Sequence, residues 1–343
     1  MRTPLALIAE RFHASPALVR RTALATIWIN VLVAVTGGAV RLTESGLGCS
    51  TWPQCVPGSL TPTPEMGIHG VIEFGNRLLT YVVCAAIGAA IIAARSARPW
   101  RRDLTRLGWA QFWLVMGNAV VGGMVVLTGL NPYIVGSHFL LSIGLIAVAT
   151  VMWQRSREEP APARPVVPTA VRQLALTLVG AVGALVVVGV LVTGTGPHAG
   201  DAREVERIPL NWDQVTQLHV DLVYLSLGLT VALYFALRAV DAPRAARARV
   251  RDLLVVMLAQ GVVGYVQYFT HLPEIVVGTH ILGACLVWAA AVRVPLALRE
   301  RVPAPGASPA DPAAPAGRGE AEEPAEGAGE AVPADRPAEA VAS

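Results

Sequence analysis

Residues 134–153 read IVGSHFLLSIGLIAVATVMW, an uncharged run of 20 residues with a single histidine near its start. Twenty apolar residues in a helix, rising about 1.5 Å each, are enough to cross the roughly 30 Å hydrocarbon core of a bilayer. The opening of this run returns 142 residues later: Val135-Gly136-Ser137-His138 is matched by Val277-Gly278-Thr279-His280. The match extends backwards at the same offset. Val120-Val121-Gly122 faces Val262-Val263-Gly264, Thr128 faces Thr270, and Asn118 faces Gln260. A second block pairs Thr36-Gly37 with Thr193-Gly194, and Leu79 and Tyr81 with Leu222 and Tyr224, which sets Asn76 opposite His219. The chain therefore reads as an internal duplication.

Eight runs of this kind lie near 23–43, 70–94, 107–128, 134–153, 173–194, 216–238, 251–270 and 275–296. They must be helices, because lipid offers no partner for free backbone groups. The 54% hydrophobic and 15% charged content excludes an ordinary soluble globule. The expected fold is an all-α integral membrane protein with eight transmembrane helices, arranged as two tandem, pseudo-symmetric four-helix bundles. Arg-bearing residues precede the first run and no small-residue cleavage pattern follows it, so it is not read as a signal peptide.

Every one of the 27 basic residues is arginine, and their positions set an orientation. Arg2, Arg11, Arg20 and Arg21 precede the first span; Arg95, Arg98, Arg101, Arg102 and Arg106, then Arg155, Arg157 and Arg164, then Arg244, Arg247, Arg249 and Arg251 fill alternate loops. These loops and both termini are expected in the cytoplasm. The domain reading is 1–22 cytoplasmic segment, 23–155 first half, 156–172 cytoplasmic linker, 173–298 second half and 299–343 cytoplasmic tail. From about residue 302 the composition is Ala, Pro, Glu and Gly, which predicts disorder. The net charge of +3 reflects this loop pattern; neither a basic stripe nor a motif for nucleic acid is present.

Of seven histidines, His219 and His280 lie a few residues into spans six and eight, both of which run inward from the outer face. At about 1.5 Å per residue both imidazoles sit roughly 5 to 8 Å below the outer surface. The ordinary reading of a lone intramembrane histidine is an interhelical polar contact or a proton relay. Two at one depth on neighbouring helices suit the two axial positions of a haem iron. Zinc fits less well, since no third ligand can be named. His138 shares the haem-facing position of its repeat mate His280. His69 stands seven residues before Asn76, on the same face and about 10 Å higher.

Glu73 and Arg77 are one turn apart, either as a local ion pair or as working groups, because ionisable residues this deep are costly. Arg41 ends the first span on the outside, where it either snorkels or meets an anionic group such as a propionate. Cys49 and Cys55 share the outer loop, where a disulfide is plausible as a structural staple, with a redox role as the alternative. Cys84 and Cys285 read as small buried residues.

Gly37-Gly38-Ala39-Val40-Arg41-Leu42-Thr43 with Ser45-Gly46-Leu47, then Cys49, Trp52-Pro53 and Cys55, then Ile72-Glu73-Phe74-Gly75-Asn76-Arg77, resembles the first loop and second helix of the haem A synthase family, in its actinobacterial-like type. The resemblance covers about residues 20–296. It implies an oxidoreductase that converts the C8 methyl of haem O to the formyl of haem A for cytochrome c oxidase. It implies a resident haem b on His219 and His280, and a substrate haem near His138, Glu73, Asn76, His69, Arg41 and Arg77. The loop cysteines match Cys49 and Cys55. Many members have a histidine where this chain has Asn76, and a second cysteine pair found in some members is absent. Implied partners are haem O, membrane lipid, a haem O synthase and oxidase assembly factors, in a bacterial cell membrane. Whether the chain forms a homo-oligomer is left open, as is the electron partner. Two other classes compete: a non-catalytic b-type cytochrome relaying quinol electrons, which predicts equal ligand pairs in both halves, and a haem transporter or chaperone, which needs no glutamate at the site.

Overall fold

The computed structural model describes residues 3–203 and 205–301. The tail expected to be disordered lies outside the described residues from 302 onward. Nine α-helices are present among the described residues: α1 (Pro4–Arg11), α2 (Pro16–Leu42), α3 (Gly67–Ser96), α4 (Arg102–Leu127), α5 (Pro132–Ser156), α6 (Thr169–Thr195), α7 (Trp212–Ala239), α8 (Arg244–Phe269) and α9 (Glu274–Leu296). The helices α2 to α9 are long and apolar enough to cross a membrane, so the chain is a multi-pass membrane protein.

Local chemistry sets their starts. Ser15 and Asn211 accept hydrogen bonds from the Leu18 and Gln214 N–H groups, and Asn131 accepts from Tyr133 and Ile134, with Pro16 and Pro132 in the first turn. The helices overrun the apolar windows by up to two turns, because polar flanks continue a helix once its apolar centre has formed. The short α1, capped by Thr3, was not foreseen from its sequence; Arg98 donates to its Ala9 carbonyl at 2.7 Å.

Helices α2, α3, α4 and α5 pack in a closed ring, each against the next and α5 against α2; α6, α7, α8 and α9 do the same. The tight turns before α5 and α9 share one backbone shape: Gly129 and Leu130 have φ of 61° and 63°, and their counterparts His271 and Leu272 also have φ of 61° and 63°. A non-glycine residue there costs about 1 kcal/mol, so the shape is imposed by the helices it joins.

Both rings are solid at the arginine-rich end. In the second, Leu178, Val182, Leu233, Leu237, Val250, Leu253, Ala291 and Val294 form one core; in the first, Val19, Ala23, Ala90, Ala94, Leu104 and Met152 do so. The histidines stand at the opposite, loop-bearing end.

The rings meet where α5 and α2 pack on α9 and α5 on α6. Ile27, Val31, Ile143, Ile146 and Cys285 fill this seam, and the Trp288 indole N–H donates to the Ile143 carbonyl at 3.0 Å. At the arginine-rich end a ribbon of β1 (Ala163–Pro165) and β2 (Arg299–Arg301) pairs antiparallel, with Arg301 ion-paired to Glu158 at 3.1 Å. So the linker and the start of the expected tail carry order that no periodicity announced. At the loop end Arg41 donates to the carbonyls of His198 (2.6 Å) and Thr193 (2.7 Å), and the Gly46 N–H to that of Gly200 (2.7 Å).

Candidate functional site

His219 on α7 and His280 on α9 face each other with ring centroids 6.5 Å apart and planes inclined by 54°. Their helices are opposite corners of the second ring, not neighbours as the sequence reading had it. That difference creates the gap: adjacent helices would bring the rings into contact. Two metal–imidazole bonds of about 2 Å each, plus the reach from each nitrogen to its ring centre, come to roughly 6 Å, so the pair spans one metal ion.

Each histidine leans on a glycine of the preceding helix. A methyl built on Gly189 of α6 would lie 3.0 Å from His219 Cε1, one on Gly122 of α4 would lie 2.9 Å from His138 Cε1, and one on Gly264 of α8 would lie 3.4 Å from His280 Cε1. The Nδ1 atoms of all three rings are buried without a hydrogen-bond partner. The backbone carbonyls of Leu185 and Asn118 face the rings of His219 and His138. A ring nitrogen turned toward a carbonyl, though short of a hydrogen bond to it, leaves the other nitrogen to ligate. Among the described residues no group of three or more His, Cys, Asp or Glu could hold a metal ion, so these rings fit a haem, which brings four of its own ligands.

The repeat also fixes the helix beneath His280 and His138, by two routes. Gln260 on α8 donates directly to the His280 carbonyl at 2.9 Å. Its shorter counterpart Asn118 donates to Ser142 Oγ at 3.0 Å, and Ser142 in turn donates to the His138 carbonyl at 3.2 Å. Intramembrane hydrogen bonds of this kind contribute about 0.6 to 1.7 kcal/mol each.

In the first ring the corner opposite His138 is Asn76 on α3. Its Oδ1 accepts from Thr36 on α2 at 2.8 Å. At these opposed corners the first ring thus offers one imidazole where the second offers two.

Glu73, one turn before Asn76, is 5% exposed. Oε2 accepts the Cys49 N–H at 2.6 Å, and Oε1 accepts from Arg77 Nε at 3.1 Å and from the Arg77 terminal nitrogen. Arg77 also donates to the Thr51 and Gln54 carbonyls at 3.1 and 3.2 Å. The pair therefore holds the loop closed by the Cys49–Cys55 disulfide, a task the i, i+4 spacing alone did not disclose. Cys285 is buried and Cys84 half-buried, both as free thiols.

Arg41 spends its donors on carbonyls of the second half, and His69 Nδ1 bonds Ser45 Oγ at 3.0 Å. His69 also lines a loop-end cavity of about 460 Å³ with Glu44, Glu65, Asp201 and Arg203. There the Arg203 guanidinium, bonded to Asp201, holds its carboxyl below the ordinary aspartate range.

Eight spans in two helical rings with polar corners at the loop end define a polytopic membrane protein. The chain belongs to the family described as cytochrome oxidase assembly protein, whose model matches residues 20–210. It is similar to proteins named heme A synthase: 35% identical over 137 residues to that of Geobacillus thermodenitrificans (38% of this chain, 42% of the relative). It is 36% identical over 129 residues to that of Lysinibacillus sphaericus (36% and 40%) and 25% over 152 residues to that of Bacillus pumilus (43% and 48%). The chain spans less than half the length of the curated relatives it matches.

Proposed function

We propose that the chain is a haem A synthase, an oxidoreductase that converts the C8 methyl of haem O to a formyl group for cytochrome c oxidase, with a resident haem b in the second ring. The observation that carries this reading is the unequal ligand set: His219 and His280 in one ring, His138 with Asn76 in the other. A site with two strong axial ligands is closed and suits a permanent cofactor; a site with one lets its occupant leave.

A haem b held by His219 and His280 supplies one-electron transfer. The chain's own residues do the rest. His138 holds the substrate iron from α5, its backbone fixed through Ser142 and Asn118. Asn76, tied to Thr36, leaves the opposite face without a strong ligand. Methyl to formyl removes four electrons, passed to an external acceptor, and adds one oxygen, supplied by water or dioxygen; Glu73 takes up a proton released at the reacting carbon, and Arg77 keeps its carboxylate in place. The solid cores at the arginine-rich end confine both sites to the loop end. That end is assigned to the outer face and the arginine-rich end, with both termini, to the cytoplasm of a bacterial cell membrane. A haem O synthase as supplier and oxidase assembly factors as recipients follow from the same reading.

Expressing the chain with haem O and identifying extracted haems by mass tests it: hydroxylated or formyl haem is expected, and unchanged haem O refutes it. The asymmetry disfavours the electron-carrier alternative, which calls for matching ligand pairs.

A further inference from the structure

Trp52 stands between the two loop cysteines, and its indole lies flat on α4. A methyl on Gly123 would come within 2.5 Å of Trp52 Cδ2, 2.8 Å of Cε3 and 2.9 Å of Cε2. Gly123 belongs to the buried face of α4, two turns beyond Val115, which packs with Val83 and Ile87 of α3. Its neighbour Gly122 is the seat of His138. The loop therefore reaches into the head of the first ring and sets an indole one residue from the seat of the ligand histidine.

The loop that carries the indole is held at three points. The carbonyls on its flanks, Thr51 and Gln54, accept from Arg77; the Cys49 N–H is anchored on Glu73; the disulfide closes the loop. So much fixation is unusual for a side chain that remains 38% exposed. Among the described residues the second ring has no equivalent. Tyr265 stands at the repeat position of Gly123, is 54% exposed, and bonds the Tyr224 hydroxyl at 2.8 Å, leaving no seat for a loop residue.

We propose that Trp52 is a substrate-contact residue of the first ring, its free indole face stacking on the macrocycle carried by His138. The inference rests on reading the first ring as the substrate site. A macrocycle with a single axial ligand is free to tilt about that bond, and an offset aromatic surface fixed on the protein opposes the tilt. The Glu73–Arg77 pair and the disulfide thereby gain a purpose, which is to hold the indole still.

The test uses the purified full chain in detergent with its second ring loaded with haem, titrated with zinc protoporphyrin IX, which takes one axial ligand. Trp52→Ala is expected to weaken binding about tenfold, with Trp52→Phe within about threefold of the parent. Gly123→Ala, which keeps Trp52 but evicts it from its seat, is expected to match Trp52→Ala. Absorption of the second-ring haem should be unchanged in all three, which separates stacking from loss of fold; if Trp52→Ala fails that check, Gly123→Ala and Trp52→Phe decide. Parent-like affinity in Trp52→Ala and Gly123→Ala, or a Phe variant as weak as Ala, overturns the inference. If His138→Ala binds the probe as tightly as the parent, or the parent does not bind saturably, the substrate-site reading itself falls and takes this one with it.

Discussion

Gly189 of α6 and His219 of α7 occupy one space between them: a single added methyl on the glycine would stand 3.0 Å from the histidine's Cε1. At such a distance the ring has to move. Gly189→Ala is therefore expected to tilt His219 off its partner and lower bound haem per polypeptide. Gly264→Ala, where the same methyl would stand 3.4 Å from His280 Cε1, should cost much less. Haem-to-protein ratio and the low-spin absorption bands measure both; equal losses would show that the seats are not what orients the rings.

The two rings should separate by mutation. His280→Ala removes one of the two proposed axial ligands and is expected to abolish the low-spin spectrum of the purified protein. His138→Ala is expected to leave that spectrum intact while stopping haem A formation. A His280→Ala protein with an unchanged spectrum would dismiss the second-ring site.

Glu73 and Arg77 carry both a structural and a proposed chemical task. Arg77→Ala leaves a buried carboxylate unpaired and frees the Thr51 and Gln54 carbonyls, a loss of about 3 kcal/mol read as lowered thermal stability. Glu73→Gln can still accept the Cys49 N–H, so its fold should largely survive while haem A formation falls about 100-fold. Full activity in Glu73→Gln would end the proton-acceptor assignment.

His69 is tied to Ser45 at the loop-end cavity, and the first ring is proposed to work with His138 alone. His69→Ala should therefore form haem A at the parent's rate. A lost product would revive His69 as a second ligand that swings in.

The spans and their number were legible because a bilayer demands long apolar helices, and the repeated blocks of sequence stand out because Asn118 and Gln260, or His138 and His280, are conspicuous polar residues at equal offsets. The depth of His219 and His280 could be counted from the span ends; that their helices are diagonal could not, since hydropathy carries no information on which helix packs beside which. The seats at Gly122 and Gly264 had a faint signal in the repeat. Gly189 had none, because glycine is common in membrane helices and its meaning depends on the ring it meets. Glu73 illustrates the same limit: the i, i+4 pair with Arg77 was readable, but its hold on a loop 24 residues earlier was not. Arg41 likewise has acceptors more than 150 residues away.

The seam between the halves is stitched at one end by Arg41 with the Gly46–Gly200 bond and at the other by the β1–β2 ribbon, with apolar packing between. Traffic is thereby restricted. A molecule as broad as a porphyrin has no passage along that joint, and the arginine-rich cores close the rings from below. For the haem substrate proposed above, the loop end and, in the plane of the membrane, the flank of the first ring away from the seam are then the two ways left. Arrival and departure by that flank would be governed by how the hydrophobic ligand partitions between bilayer and protein, and the rate of exchange should respond to lipid composition as much as to any residue in the pocket.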